Sequence, residues 1–188
     1  MKAKNVFKGL VTIILLNIVA FSNAQIQEKQ HLLNFGLGLG SSYSVSGFKT
    51  TIPPIEASYE VMIKEKISVG GFLGLSGFKS EYNVGTLSST TKYSYFNIGG
   101  LVNYHFVNDE TWNVYIGGKL GYTSNSVKDE SNFNFGESQN SVNSDAKGSG
   151  ILFGANVGAR YHISEKLAVH SELGYGISLF KMGITYKL

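Results

Sequence analysis

The chain has 188 residues, of which 43% are hydrophobic and 13% aromatic, with 23 Gly and no Cys, and this suits a single domain. The lack of cysteine argues against a thiol nucleophile, a Cys-based zinc site, an iron–sulfur cluster and a lipid-modified cysteine. The formal net charge of +3 comes from Lys2, Lys4 and Lys8, because the other 13 basic residues equal the 13 acidic ones. A chain with no net charge beyond residue 24 predicts no nucleic-acid partner.

Residues 1–24 have the pattern of a cleavable signal peptide. A basic stretch over residues 1–8 precedes an apolar run from Leu10 to Phe21, and Ser22-Asn23-Ala24 supplies the small residues of a cleavage site. A membrane anchor is the alternative, but the apolar run is shorter than the roughly 20 residues that a spanning helix needs. We therefore expect cleavage after Ala24 and a mature domain of residues 25–188.

From Leu33 onward, apolar residues recur at every second position, which is the period of a β-strand. The pattern predicts eight strands, near residues 33–43, 52–63, 67–78, 93–107, 112–123, 150–163, 167–177 and 180–188. Most of them are longer than the ordinary soluble strand of about five or six residues, and they match the ~9–11 residues that cross a bilayer at a tilt. Strand length therefore favours a membrane protein.

The predicted connections alternate in length. Three are short and polar (64–66, 108–110 and 164–166), and three are long (Ser44–Thr51, Lys79–Lys92 and Ser124–Ser149), whereas the last, around Ser178, is short again. Short turns on the periplasmic side and long loops outside are typical of an up-and-down membrane barrel. Ser124–Ser149 is rich in Ser and Asn, so we expect a mobile solvated loop, with a binding surface as the alternative.

The two faces of the strands differ in polarity. The apolar face carries no charged residue, and its aromatics lie near strand ends: Tyr59, Tyr104, Phe106, Trp112, Tyr122, Tyr161, Tyr175 and Tyr186. The opposite face is rich in Gly, Ser and Asn and holds Glu56, Glu60, Lys119, Arg160, Glu172, Lys181, Lys187, His105, His162 and His170, together with Phe72 and Leu152. A lipid-facing exterior and a narrow, filled lumen explain both faces. The sequence thus predicts an all-β, eight-stranded antiparallel up-and-down transmembrane β-barrel; a soluble β-sandwich is the alternative.

Two stretches resemble the small eight-stranded outer-membrane β-barrel proteins of Gram-negative bacteria, the outer-membrane protein A and X group, and in particular the porin-like barrel domains common in Bacteroidetes. Residues 158–167 with residues 172–176 are similar to that family's sixth strand, turn and seventh strand. Residues 181–188 resemble its C-terminal assembly signal, with Leu188 in place of the usual Phe or Trp. The resemblance implies the cell outer membrane, contact with lipopolysaccharide and phospholipid, and recognition by the barrel-insertion machinery.

The nearest approach to a catalytic cluster is His170-Ser171-Glu172. Adjacent residues of a strand point to opposite faces, so we expect His170 and Glu172 in the lumen and Ser171 towards lipid. A nucleophile and its base must lie within hydrogen-bonding reach, and this parity keeps the two apart. We predict luminal packing for these side chains, no catalytic residues and no enzymatic activity.

Metal and cofactor sites are also not expected. His105, His162, His170 and Glu172 lie on different strands without the spacing of a known zinc pattern. The glycines at residues 36, 38 and 40 and at 70–71 lack the spacing and the following helix of a phosphate-binding loop, so they are read as strand glycines that make room in the lumen.

The fold alone does not determine the function, because such barrels host several. The leading hypothesis is a monomeric outer-membrane barrel with a structural or surface-interaction role, whose outer loops carry any partner binding. The alternative is a narrow channel for small or apolar solutes, which needs gaps in the luminal packing beside glycines such as Gly36, Gly70 and Gly117. A lipid-modifying enzyme would require a loop serine and an outward base to meet in space.

Overall fold

The computed structural model describes residues 26, 28–41, 49–84, 87–135 and 138–188. The predicted signal peptide, residues 1–24, and most of the predicted loop Ser44–Thr51 lie outside these residues. No helix in the described part of the chain has the length and hydrophobicity to span a membrane.

Eight strands make up almost all of the described chain, as the alternation of apolar residues predicts. Their bounds are β1 His31–Ser41, β2 Lys49–Lys64, β3 Ile67–Val84, β4 Leu87–Asn108, β5 Trp112–Phe135, β6 Ser138–His162, β7 Leu167–Tyr175 and β8 Ser178–Lys187. The three predicted short turns are present between β2 and β3, between β4 and β5, and between β6 and β7.

The strands form a closed barrel in chain order. Each strand pairs antiparallel with the next, and β1 pairs with both β2 and β8, with Phe35 opposite Ala57 on one side and Ile184 on the other. Closure removes the free sheet edges within the ring, which is a requirement for a sheet in lipid. The predicted up-and-down barrel is confirmed, and the β-sandwich alternative is wrong.

Two predicted loops are wrong: the described residues of Lys79–Lys92 and Ser124–Ser149 are strand. β3 and β4 stay paired out to Val84 and Leu87, and β5 and β6 stay paired out to Phe135 and Ser138. Where the burial of these extensions is described (residues 79–82, 88–92, 124–131 and 143–149), no side chain is buried on either face, so nothing there favours an alternation of apolar and polar residues. The continuous ladder satisfies the backbone hydrogen-bonding groups without any apolar core.

Side-chain orientation follows the predicted two faces. On β5, Tyr115 is fully buried whereas the next residue, Ile116, is 56% exposed, and the alternation repeats around the ring. Between the two rims the outward side chains are apolar, as with Leu73, Ile98 and Leu120. The aromatic residues lie towards the rims, where Trp112 and Tyr161 pair with ring centroids 5.0 Å apart. The buried set is largely polar, so the apolar surface faces outward and the core of the protein is the lumen.

Candidate functional site

Four side chains cross the middle of the lumen as two acid–base pairs. The Lys119 ammonium binds both carboxylate oxygens of Glu56, at 2.6 and 2.8 Å, and lies 3.6 Å from Glu172. Lys181 bridges the same two acids, with Nζ bound to Glu56 and 2.8 Å from the Glu172 carboxylate. The Tyr115 hydroxyl donates to Glu172 at 2.8 Å. Two positive and two negative charges therefore neutralise one another across the barrel.

A second network fills the lumen on the periplasmic side of this tetrad and centres on Glu60. The Glu60 carboxylate accepts hydrogen bonds from Arg160 Nη2 at 2.6 Å, from Asn34 Nδ2 at 2.7 Å and from Ser68 Oγ and Asn103 Nδ2, both at 2.8 Å. The Arg160 guanidinium also lies 4.3 Å from the centre of the Tyr115 ring. Both charged groups are almost completely buried, and the surrounding donors supply the hydrogen bonds that a buried carboxylate needs.

Ser68, His105 and Asn113 form a chain that the sequence analysis missed. His105 Nε2 is 3.0 Å from Ser68 Oγ, and His105 Nδ1 is 3.0 Å from Asn113 Oδ1. These are the distances of a nucleophile, a base and an orienting group, but all three side chains are fully buried and Ser68 donates to Glu60. The cluster is part of the luminal network. Its only signal in the sequence is that the alternation places each of the three residues on the inward face of its strand.

The predicted luminal residues occupy the lumen, but they do not form one cluster. His170 contacts Thr185 Oγ1 at 3.0 Å, and Ser171 lies on the outward face opposite Met182. His162 lies at the periplasmic end, 3.2 Å from the Glu110 carbonyl. Lys187 is buried near the same end, and its ammonium has no hydrogen-bond partner among the described residues. Within the described chain, no three His, Asp or Glu side chains are grouped to hold a metal ion.

Apolar side chains pack beside the tetrad. Phe72, Leu101, Leu152 and Ile177 form a buried cluster, and the Lys119 ammonium lies 5.6 Å from the centre of the Phe72 ring. Ile177 belongs to the β7–β8 turn and reaches inside because Gly176 has a φ of +144°, a backbone conformation that favours glycine. Beside the tetrad remains a cavity of about 20 Å³ lined by Asn156 and Ile177, which has room for about one water molecule.

The residues before β1 close the periplasmic end. Ile26 is buried against Leu32 and Met62. Its backbone N–H donates to Asn108 Oδ1 at 3.3 Å and its carbonyl accepts from Asn108 Nδ2 at 2.8 Å, and the Lys29 N–H donates to the Met62 carbonyl at 2.8 Å. This segment crosses the mouth of the barrel from β4 to β2. The channel alternative needs gaps beside Gly36, Gly70 and Gly117, but a Cβ built at each of them would meet atoms of a neighbouring strand within 3 Å.

The extracellular side carries a sheet that projects beyond the ring. β7 pairs with β6 only over residues 155–162, whereas β6 pairs with β5 from Ser138 to Tyr161. The stretch of β6 from Ser138 to Gly154 thus has a partner strand on one side only. Together with the outer parts of β3, β4 and β5 it forms a four-stranded sheet, which we call the extracellular sheet (residues 79–84, 87–95, 124–135 and 138–149).

A closed antiparallel barrel with an apolar exterior, rim aromatics and a filled polar lumen is a transmembrane β-barrel. Residues 12–187 match the family model described as the outer membrane protein beta-barrel domain, and the chain belongs to this family. It is accordingly a protein of the cell outer membrane. No curated protein matches the sequence.

Solved structures that resemble this one have very different sequences. One is Ail, the attachment invasion locus protein of Yersinia pestis, in complex with the heparin analogue sucrose octasulfate; it is 11% identical, with a TM-score of 0.50, and the match covers 85% of this chain and 97% of Ail. Another is the N-terminal β-barrel domain of Pseudomonas aeruginosa OprF, 12% identical with a TM-score of 0.43, covering 89% and 100% of the two chains.

Proposed function

We propose that this protein is a monomeric, non-enzymatic outer-membrane barrel that binds partners at the cell surface through its extracellular sheet. The observation that carries this proposal is the unpartnered edge of β6 from Ser138 to Gly154. An open strand edge offers backbone N–H and C=O groups to an extended segment of another chain. The short β7 and β8 leave that edge uncovered on the extracellular side.

The barrel itself is a rigid support for this sheet. Each layer of the lumen contains side chains that are satisfied by neighbours on other strands, so opening a path would break several buried ion pairs and hydrogen bonds at once. We therefore expect silence in a planar-bilayer recording of the purified full chain. Steady single-channel conductance would contradict a filled lumen and favour the alternative of a narrow channel.

The surface role is tested by removing the outer part of one hairpin. In the variant, a two-residue Asn-Gly turn replaces residues 128–145 and joins Val127 to Ala146, which are directly opposite each other. Cells that express the full chain should adhere to an immobilised panel of host-surface proteins and heparin, which is included because Ail was crystallised with a heparin analogue. Cells with the shortened hairpin should adhere no better than cells with the empty vector.

Both forms must show the same heat-dependent shift on a gel, so that the barrel is known to be closed in each. Equal adhesion by the two forms would contradict a role for the β5–β6 hairpin. Adhesion by neither would leave the structural role as the better description. Unchanged lipid A acylation in cells with and without the gene is the result expected of a protein that is not a lipid-modifying enzyme.

The route to the membrane is also part of this proposal. We infer that residues 1–24 are removed as a signal peptide and that the insertion machinery recognises the C-terminal strand, residues 181–188. Sequencing of the mature N-terminus should begin at Gln25. Replacement of the terminal Leu188 by Phe should leave assembly intact or improve it, and replacement by Asp should lower the amount in the outer membrane.

A further inference from the structure

The open side of β6 offers hydrogen-bonding groups at alternate residues. The His162 N–H donates to the Thr111 carbonyl, next to β5, and the Ile163 N–H donates to the Leu167 carbonyl, next to β7. This direction alternates along an antiparallel strand, and the pairing of β5 with β6 has no register shift. Odd-numbered residues from 139 to 151 therefore direct their N–H and C=O groups away from β5, where no described strand pairs with them.

The end of this open side nearest the membrane is the most costly part to leave unpaired. Ile151 lies opposite Tyr122, one of the rim aromatics, and its side chain is 70% exposed. Phe153, the next outward residue towards the membrane, is 65% exposed. Backbone groups without a partner are unfavourable where water is scarce. An added strand with an apolar residue at this point would cover Ile151 and pair with its backbone groups.

Further from the membrane, the open side carries one acid and one base. Asp145 and Lys147 are the only charged residues between Ser138 and Gly154, and residues 143–149 are all exposed. Both side chains lie on the outward face of the sheet, where Asp145 is opposite Lys128 of β5. Opposite charges directly across a sheet stabilise its pairing, and like charges destabilise it. The open side therefore favours a strand with an acid opposite Lys147 and a base opposite Asp145.

The other face of the open side leaves room for such a strand. Between the outward residues lie Ser144, Ala146, Gly148 and Gly150, none of which has a large side chain. A Cβ built at Gly150 would meet no atom closer than Thr123 Cγ2, at 3.8 Å. The side chains of β6 on that face therefore do not exclude the residues of an added strand.

The same two charges limit which strands can pair. Charged residues on an edge strand commonly prevent association, because a partner without complementary charges leaves them unpaired or repelled. An acid and a base two residues apart exclude a strand with the reverse order of charges but admit one with the matching order. Specificity of this kind combines attraction of the correct partner with repulsion of the wrong one.

We propose that the open side of β6 binds an antiparallel extended segment of another protein with a defined order of residues. Read outward from the membrane, the segment has an apolar residue opposite Ile151, then an acid opposite Lys147 and a base opposite Asp145. Antiparallel pairing is the more stable arrangement per residue, and it makes the segment run away from the membrane. This inference rests on the proposed function and adds the chemistry of the partner.

Two short synthetic peptides test this order on the full chain, folded in detergent micelles. The matched peptide is Val-Thr-Thr-Thr-Glu-Thr-Lys-Thr-Thr, and the exchanged peptide has its Glu and Lys interchanged. Each carries a fluorophore, and its dissociation constant is measured by fluorescence anisotropy. The variant D145K/K147D reverses the charges of the open side. The control variant K92E/E130K exchanges an ion pair of β4 and β5, away from the open side.

We expect wild type to bind the matched peptide on the order of tenfold more tightly than the exchanged peptide, because two pairs of charges change from attraction to repulsion. D145K/K147D should prefer the exchanged peptide by a similar factor, and K92E/E130K should behave as wild type does. All three proteins must show the heat-dependent gel shift. Equal affinity of wild type for the two peptides, or an unchanged preference in D145K/K147D, would overturn the proposal.

Hydrogen exchange determines where the matched peptide binds. Binding should slow the exchange of the amides of odd-numbered residues from 143 to 151. The even-numbered amides are already bonded to β5 and should change little. Protection confined to another strand would contradict the assigned site, whatever the affinities of the two peptides.

Two outcomes separate this inference from the proposed function. If shortening of the β5–β6 hairpin abolishes adhesion but wild type does not distinguish the two peptides, the surface role stands and the proposed order of residues is wrong. If wild type forms dimers in detergent that protect the same amides without any peptide, the occupant is a second copy of this chain and the proposed partner is wrong.

Discussion

Individual residues in the lumen are held by partners that are far apart in the sequence. Arg160 on β6 binds Glu60 on β2, and Lys181 on β8 binds Glu56 on β2. The first pair joins strands on opposite sides of the ring, and the second joins two strands separated by β1. Neither pair of strands is connected by backbone hydrogen bonds. A buried ion pair of this kind adds little net stability, but removal of one partner strongly destabilises the protein because the other charge stays buried without a partner.

The Glu60–Arg160 pair gives a test of that asymmetry. Glu60→Met leaves the guanidinium buried without its carboxylate, and Arg160→Met leaves the carboxylate without its strongest partner, so each should lower the free energy of unfolding by about 3–5 kcal/mol. The double variant should cost less than the sum of the two. Urea unfolding in lipid vesicles, followed by the single tryptophan, measures all four proteins. Additive effects would show that the two side chains act independently.

The periplasmic turn between β4 and β5 contains a carboxylate outside the membrane. Asp109 accepts hydrogen bonds from the backbone N–H groups of Trp112 at 2.6 Å and Thr111 at 2.9 Å. Because these donors favour the charged form, they lower the pKa of Asp109 below its ordinary value of 3.8. Its stabilising effect is therefore fully present above about pH 4 and is lost as the pH falls through the lowered pKa.

Asp109→Asn should remove this part of the pH dependence. As the pH falls below about 4, wild type should lose more stability than the variant does, and the two stability curves should converge once the pH is below the lowered pKa of Asp109. Urea midpoints at several pH values measure the difference, with Asp145→Asn on the extracellular sheet as the control for loss of one exposed carboxylate. A constant gap between wild type and D109N at every pH would contradict the assigned role.

For the strands, the alternation in the sequence predicts the part of each strand that crosses the lipid. It does not predict the extension of the strands beyond the membrane. Alternation is visible from Trp112 to Tyr122 because one face of β5 meets lipid and the other meets the lumen. Over residues 124–131 no side chain is buried on either face, so the reason for alternation disappears although the hydrogen-bonded ladder continues to Phe135. The closure of the periplasmic end by Ile26 could not be predicted, because a single apolar residue before β1 forms no repeating pattern in the sequence.

The extension of β5 and β6 should be separable from the barrel. In the variant with residues 128–145 replaced by an Asn-Gly turn, the closed ring and its luminal network keep all their partners, so we expect the unfolding midpoint to stay within experimental error of wild type. In the full chain, hydrogen exchange should show slowed amides over residues 126–135, although faster than those at 112–122. Exchange at the free-peptide rate over residues 126–135 would show that they form a loop.

In the whole molecule the apolar side chains lie outside and the polar side chains lie inside. This inversion of polarity determines that the barrel is stable in a membrane. A soluble barrel tolerates a charge on its exterior, whereas this exterior contacts hydrocarbon between the two rims. The luminal charges are paired with one another or with polar neighbours, with Lys187 at the periplasmic end as the exception among the described residues. The same alternation that hides Glu60 and Arg160 thus exposes Leu, Ile and Phe to lipid.

This inversion predicts a large effect and a small one for the same kind of substitution at two places on β5. Ile116, 56% exposed, lies about midway between the rim residues Trp112 and Tyr122, so Ile116→Lys should lower the free energy of unfolding in a bilayer by about 2–4 kcal/mol. Ser124→Lys, on the same face beyond Tyr122, should change it by about 1 kcal/mol or less. In detergent micelles, which deform around a charge, the cost at residue 116 should shrink. Equal, small effects at both positions in the bilayer would mean that residue 116 faces water.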